Sequence, residues 1–249
     1  MAGSVGFTGA PVLAANAAVR AGAGLVYLGV PAEVWPVVAA RCLEAMPHPL
    51  PESAREVTAR VAACDAALIG PGLSREEGTA ALVRSLVSDL TVPVVLDADG
   101  LNVFSGRTEL LKARRAPLVL TPHEGEFARL TGCPLPVKDR EAAARELAQA
   151  LDCTVVLKGH GTLTAAAGGR VWRNTTGNPG MAKGGSGDVL AGIILALIAQ
   201  GFPVPESAAM AVWLHGRAGD LAAEALGEYG MIPSDLLTYL PQALKELEE

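Results

Sequence analysis

Five short runs in this chain are apolar at consecutive positions, and stretches of helical character separate them. The runs are Leu25–Val30, Ala66–Ile69, Val94–Leu96, Leu118–Leu120 and Thr154–Leu157. A strand with one wet face alternates apolar and polar residues, whereas a strand apolar on both faces must be covered on both. Helices fit between the runs at Pro11–Ala21, Ala32–Cys42, Ala54–Ala62, Glu76–Leu86 and Lys138–Ala150. This alternation predicts an α/β fold: an open, mostly parallel sheet with right-handed crossovers. Leu163–Val171 contains Gly168-Gly169, a hairpin signal. After it the pattern changes, and Val189–Ala199, Glu206–Leu226 and Ser234–Leu247 read as three consecutive helices. No linker, charge block or repeat divides the 249 residues, so one domain over 1–249 is expected.

Composition removes several classes of function. Hydrophobic residues make up 50% of the chain, ample for a core and far from a disordered composition. The net charge of −6 gives no electrostatic reason to expect a nucleic-acid partner. Cys42, Cys64, Cys133 and Cys153 lack C-x-x-C spacing and read as reduced thiols of a cytoplasmic protein. No signal peptide is visible. The longest apolar run, in Val189–Ala199, is too short for a bilayer, so no membrane partner is expected.

In an open α/β sheet, ligands bind beyond the carboxyl ends of the strands. The loops there are Gly70-Pro71-Gly72, Asp97-Ala98-Asp99-Gly100, Thr121–Glu126 and Lys158-Gly159-His160-Gly161-Thr162. All carry glycine, histidine or acidic residues. Two helix starts look like capping boxes: Ser74 with Glu77, and Thr121 with Glu124, the latter with Pro122 at the first helical position. Asp97 and Asp99 suit either water or Mg²⁺, or plain turn chemistry before a helix.

The richest segment is Asn174–Gly192. It gathers Gly177, Gly180, Gly184, Gly185 and Gly187, then Asp188, then an apolar helix. Glycines opening into a helix expose backbone N–H groups at its positive end, which suits phosphate oxygens. A plain turn with Asp188 as the helix cap would explain the acid but not Gly184, Gly185 and Gly187 together. An acid at that spot can take a proton from a hydroxyl about to accept a phosphoryl group. It is expected to stay ionised beside the helix N-terminus. Lys183 reads equally as a phosphate partner or a solvated cation. Gly192, inside the helix, points to close packing against a neighbour.

N-P-G-M-A-K-G-G-S-G-D-V-L-A-G resembles the glycine–aspartate signature of ribokinase-like proteins, and more narrowly that of the ADP/ATP-dependent NAD(P)H-hydrate dehydratases. Segments 7–26, 69–73, 95–102, 120–130, 155–162 and 215–220 agree with that family in order. The resemblance implies a three-layer α/β/α fold with a mostly parallel central sheet and a helical C-terminal part. It implies repair of hydrated NADH or NADPH: ADP or ATP phosphorylates the C6 hydroxyl, and loss of phosphate restores the dihydropyridine. By the same resemblance Asp188 is the catalytic base and also touches substrate. Ala10, Gly72, His123 and Glu126 are the other substrate contacts. Lys158, Gly159, His160, Gly161, Thr162, Gly184, Gly185, Ser186 and Gly187 hold the nucleotide, with N–H groups of Gly185, Ser186 and Gly187 on the transferring phosphate.

Mg²⁺ is expected on the nucleotide phosphates, because no cluster has the spacing of a dedicated cation cage. His215 and Asp220 read as packing or subunit-contact residues, and His48 as part of an uninformative Pro-rich loop. Only Met1–Thr8 precede Gly9-Ala10-Pro11, so the first strand of the family pattern is expected to be short or missing. Any epimerase is expected as a separate protein, and similar proteins often form homotetramers. Two rivals remain: an alcohol kinase of the same fold, akin to hydroxyethylthiazole kinase, and a nucleotide-binding sensor without turnover. A Rossmann oxidoreductase lacks its G-x-G-x-x-G after the first visible strand.

Overall fold

The computed structural model describes residues 1–51 and 53–247. Alternation within each strand divides the interior in two. Leu68, Val95, Val119 and Val156 face one apolar cluster, while Ile69, Leu96, Leu120 and Leu157 face another. Strands β3 (Ala67–Ile69), β4 (Val94–Leu96), β5 (Leu118–Leu120) and β6 (Thr154–Leu157) run parallel in that order. The antiparallel strands β7 (Leu163–Ala165) and β8 (Val171–Arg173) follow, joined by the expected Gly168-Gly169 turn. Strands β1 (Tyr27–Val30) and β2 (Met46–Pro49) form a separate parallel pair.

On one face lie α1 (Gly9–Arg20), α2 (Trp35–Ala39), α8 (Ser186–Ala199), α9 (Val204–Leu226) and α10 (Pro233–Lys245). On the other lie α3 (Ala54–Val61), α4 (Glu77–Asp89), the single turn α5 (Asp99–Asn102), α6 (Glu124–Thr131) and α7 (Arg140–Leu151). The result is the three-layer α/β/α architecture of the ribokinase-like fold, with a mostly parallel sheet and a helical C-terminal part. α8 is apolar nearly all round because it is enclosed nearly all round. A Cβ on Gly192 would stand 2.2 Å from the Ala14 carbonyl oxygen, so glycine is what lets α8 lie against α1.

The helix expected at Ala32–Cys42 shrinks to five residues, because the chain must turn back to β2. β2 itself is hidden in the sequence by Pro47 and Pro49. Proline cannot donate to a ladder and is tolerated here because β2 is an edge strand. His48 therefore sits in a strand rather than a loop. The Ser74 capping box does not form: Ser74 has φ +70°, its N–H donates to Asp99 Oδ2 at 3.1 Å, and α4 starts at Glu77.

Met1–Gly3 lie between β1 and β3. The Met1 nitrogen donates to Leu68 O at 2.7 Å, and the Ala2 N–H to Gly29 O at 3.1 Å. Among the described residues, no helix is long and apolar enough to cross a membrane.

Candidate active site

The carboxyl ends of β3 to β6 meet the N-terminus of α8, and the polar side chains of the rim converge there. Asp97, after β4, is buried. Its Oδ1 accepts from Thr121 Oγ1 at 2.7 Å and from Lys158 Nζ at 2.7 Å. Lys158 Nζ also stands 3.8 Å from Glu126 Oε2. A Cβ on Gly187 would lie 3.3 Å from that ammonium, so Lys158 points into the mouth of the glycine turn. Burial alone would lower the Lys158 pKa, but the carboxylates of Asp97, Glu126 and Asp188 together hold it above its ordinary value.

Asp188 is at the third position of α8 and does not cap it. The N-cap is Gly185, whose φ of +105° suits glycine, and whose Cβ would clash at 2.7 Å with Leu13. The expectation that Asp188 stays ionised is overturned. Burial first, and the Asp97 carboxylate second, push its carboxyl up to about 7; Lys158 acts the other way and Glu126 adds to the rise. The helix-end field is outweighed by desolvation and by like charge. The group is thereby poised where a general base works best near neutral pH.

The turn is braced from behind. The His215 ring, buried beneath it, places Nε2 at 2.9 Å from Ser186 O; burial lowers its pKa to about 4, so it is neutral and donates that bond. Asp220 accepts from the Gly177 N–H at 2.9 Å and from Asn178 Nδ2 at 3.1 Å. Packing is thus the structural job of both residues. Lys183 is neither solvated nor aimed at a phosphate site. Its ammonium donates to the carbonyls of Glu228, Tyr229 and Met231, tying the turn to the segment before α10. Of the three expected N–H donors, Ser186 is engaged by Lys183 O at 3.2 Å. Those of Gly185 and Gly187 have no protein acceptor among the described residues. A Cβ on Gly184 would meet open space.

His123 is the N-cap of α6. Its Nδ1 accepts from the Gly125 and Glu126 N–H groups at 3.0 and 3.3 Å, and Glu126 Oε2 accepts from the His123 N–H at 2.9 Å. The capping box is therefore His123 with Glu126, displacing the expected Thr121 with Glu124. Pro122 precedes the cap, Thr121 turns inward to Asp97, and Glu124 pairs with Arg140 at 3.0 Å. The His123 side chain remains 53% exposed.

Arg140, which the sequence reading missed, organises the Lys158–Thr162 loop. Its guanidinium donates to the carbonyls of Leu157, Lys158 and His160. Thr162 Oγ1 closes the loop onto Gly159 O at 2.8 Å, while His160 and Gly161 form its tip. Across the rim, a Cβ on Gly72 would lie 3.2 Å from that of Ala10, so these two anticipated contacts are neighbours. Asp99 serves turn chemistry, accepting from Ser74, Arg75 and Asn102. Among the described residues, no group of three or more His, Cys, Asp or Glu is arranged to hold a metal ion.

Known proteins resemble this chain along most of its length. The family model described as NAD(P)H-hydrate dehydratase matches residues 1–242. The bifunctional NAD(P)H-hydrate repair enzyme Nnr of Moorella thermoacetica is 45% identical across 99% of this chain and 49% of its own length. The ADP-dependent (S)-NAD(P)H-hydrate dehydratase of Neisseria meningitidis is 40% identical over 90% of this chain and 76% of its own. The chain thus spans about half the length of the bifunctional relatives it matches. The ADP/ATP-dependent NAD(P)H-hydrate dehydratase of Bacillus subtilis, co-crystallised with ATP/Mg²⁺, superposes with a TM-score of 0.86 at 33% identity, covering 99% of this chain and 87% of that one. A hydroxyethylthiazole kinase from Pyrococcus horikoshii, at 20% identity and a TM-score of 0.65, shares the fold alone. The chain belongs to the NAD(P)H-hydrate dehydratase family.

Proposed function

We propose that this member of the NAD(P)H-hydrate dehydratase family converts the S-epimer of hydrated NADH or NADPH back to the intact dinucleotide, using ADP or ATP as phosphoryl donor. The observation that carries the reading is Asp188, its carboxyl pushed up to about 7, within the field of the Lys158 ammonium at the mouth of the glycine turn. Asp188 takes the proton of the C6 hydroxyl as its oxygen attacks the terminal phosphorus of the donor. The Lys158 ammonium and the free N–H groups of Gly185 and Gly187 offset the charge that develops on the transferring phosphoryl group. The ring nitrogen lone pair then expels phosphate, a far better leaving group than hydroxide. Loss of a proton from C5 completes the double bond.

Ala10, Gly72, His123 and Glu126 are proposed to line the hydrated nicotinamide side, and the Lys158–Thr162 loop with Gly184–Gly187 the nucleotide side. Mg²⁺ would ride on the donor phosphates and neutralise them, since Asp97 is already occupied by Lys158 and Thr121. We further propose that residues 1–249 act as one catalytic domain of a cytoplasmic homotetramer.

Incubation with hydrated NADH plus ADP or ATP should return the dihydropyridine absorbance only when nucleotide is present. A stable phosphorylated product would instead identify a kinase. Binding without product would identify a sensor.

A further inference from the structure

Arg140 is the first residue of α7, where a cation works against the helix dipole. Helix stability therefore does not explain it. The guanidinium instead reaches across to the end of β6. Nη2 donates to Leu157 O at 3.2 Å and to Lys158 O at 3.1 Å, and Nη1 donates to His160 O at 2.8 Å. Nε stands 3.0 Å from Glu124 Oε1, and the side chain is only 20% exposed. Most of its N–H groups are thus committed to the protein rather than open to a ligand.

This grip acts on the far side of the loop. In a trans peptide the carbonyl and the N–H of one plane point opposite ways. Holding the Lys158 and His160 carbonyls toward α7 turns the Gly159 and Gly161 N–H groups away from it. The Gly159 N–H goes to Thr162 Oγ1 at 3.3 Å and closes the turn. The N–H groups of His160 and Gly161 have no protein acceptor among the described residues. Adjacent free N–H groups beside a left-handed residue suit an anion, and Gly161 has φ +60°. Gly159 lets loop and guanidinium meet, since a Cβ there would stand 2.7 Å from Nη2.

Given the nucleotide reading of the Lys158–Thr162 loop, on which this rests, we propose that Arg140 is a positioning residue for the phosphoryl donor. It does not touch ADP or ATP. It sets their affinity by presenting the His160 and Gly161 N–H groups already oriented, which spares the ordering cost that binding would otherwise carry. The planar fork of arginine spans several carbonyls at once, whereas a lysine ammonium is a point charge and cannot hold all three.

The test measures ADP binding by calorimetry and, separately, both KM values in turnover with hydrated NADH. Arg140→Lys keeps the charge and loses the fork. It should weaken ADP about tenfold or more and raise the nucleotide KM to match. The KM for hydrated NADH should stay within about twofold, and kcat at saturating nucleotide within about threefold. Gly159→Ala disturbs the same contact from the loop side and tests it independently. It should weaken ADP by a similar factor, and in the double variant the two effects should not multiply. Glu124→Gln leaves the three carbonyl bonds and should bind ADP within about twofold of wild type. Unchanged ADP affinity in either single variant would overturn the proposal, as would a parallel rise in both KM values, a loss of kcat and Tm with ADP affinity intact, or multiplying effects in the double variant. ADP binding that depends on Arg140 in a protein without turnover would count against the dehydratase reading alone.

Discussion

The Asp188 carboxyl, in the first turn of α8, and the Met1 amine, between β1 and β3, lie in two regions of the molecule, and burial drives both toward their neutral forms. The carboxyl rises to about 7 and the amine falls to about 6. Their company differs. Asp188 sits among Asp97, Glu126 and Lys158, which pull its proton affinity in opposing directions. Met1 faces apolar walls, with only a minor opposing effect from Cys64. A shifted titration alone therefore does not mark chemistry; the surrounding groups do. The first region is a set of partnered charges at a rim open to ligand, and the second is a single amine bonded to the Leu68 carbonyl among apolar side chains.

The largest test of that contrast is Asp188→Ala. Turnover should fall by about 10³-fold or more while nucleotide affinity stays within a few-fold, as read by single-turnover assay and calorimetry. Persisting turnover would demote Asp188 to the structural status of Met1. Next come the neighbours. Activity should rise with pH through an apparent pKa near 7, as the base loses its proton. Lys158→Met removes the cation that favours the carboxylate. It should move that limb upward and lower the rate about 10²-fold. Asp97→Asn removes a like charge and should move the limb downward. A pH–rate profile that ignores both changes would break the proposed coupling.

Gly192→Ala probes the contact between α1, which starts at Ala10's turn of the rim, and α8, which carries Asp188. Overpacking should cost about 1–3 kcal/mol in a denaturant melt. The smallest effects concern pH and stability, and here the two regions should differ in sign. The Met1 amine has a lowered folded pKa, so its contribution to stability is present above pH 8 and lost as pH falls through about 6. N-terminal acetylation should flatten a slope on the order of 2 kcal/mol across that window. Asp188 has a raised folded pKa, so its neutral form favours folding at low pH. That benefit is lost as pH climbs from about 4 to about 7. Asp188→Asn should remove the decline, followed by urea midpoints over the same range.

Much of the fold was legible because each central strand is apolar on both faces. Val94–Leu96, Leu118–Leu120 and Thr154–Leu157 form as expected. β2 was illegible because two prolines disguise an edge strand. The glycine turn and Asp188 could be located in the sequence, since glycines cluster there against their entropic penalty. The proton affinity of Asp188 could not be read, because it depends on Asp97 and Glu126, which only the sheet brings near. Nor could the ion pair of Lys158 with Asp97, a partner 61 residues away that only the sheet brings to it. The α6 capping box was misplaced because histidine, rarely considered a cap, outcompeted threonine.

That last detail fixes the chemistry left to His123. With Nδ1 accepting two backbone N–H bonds, the neutral ring must carry its proton on Nε2. Toward a ligand it is a donor with one permitted orientation, suited to a carbonyl, hydroxyl or phosphate oxygen. The helix selects the tautomer, so a single imidazole ties local folding to molecular recognition. A replacement that keeps the cap, such as asparagine, would preserve the first while silencing the second.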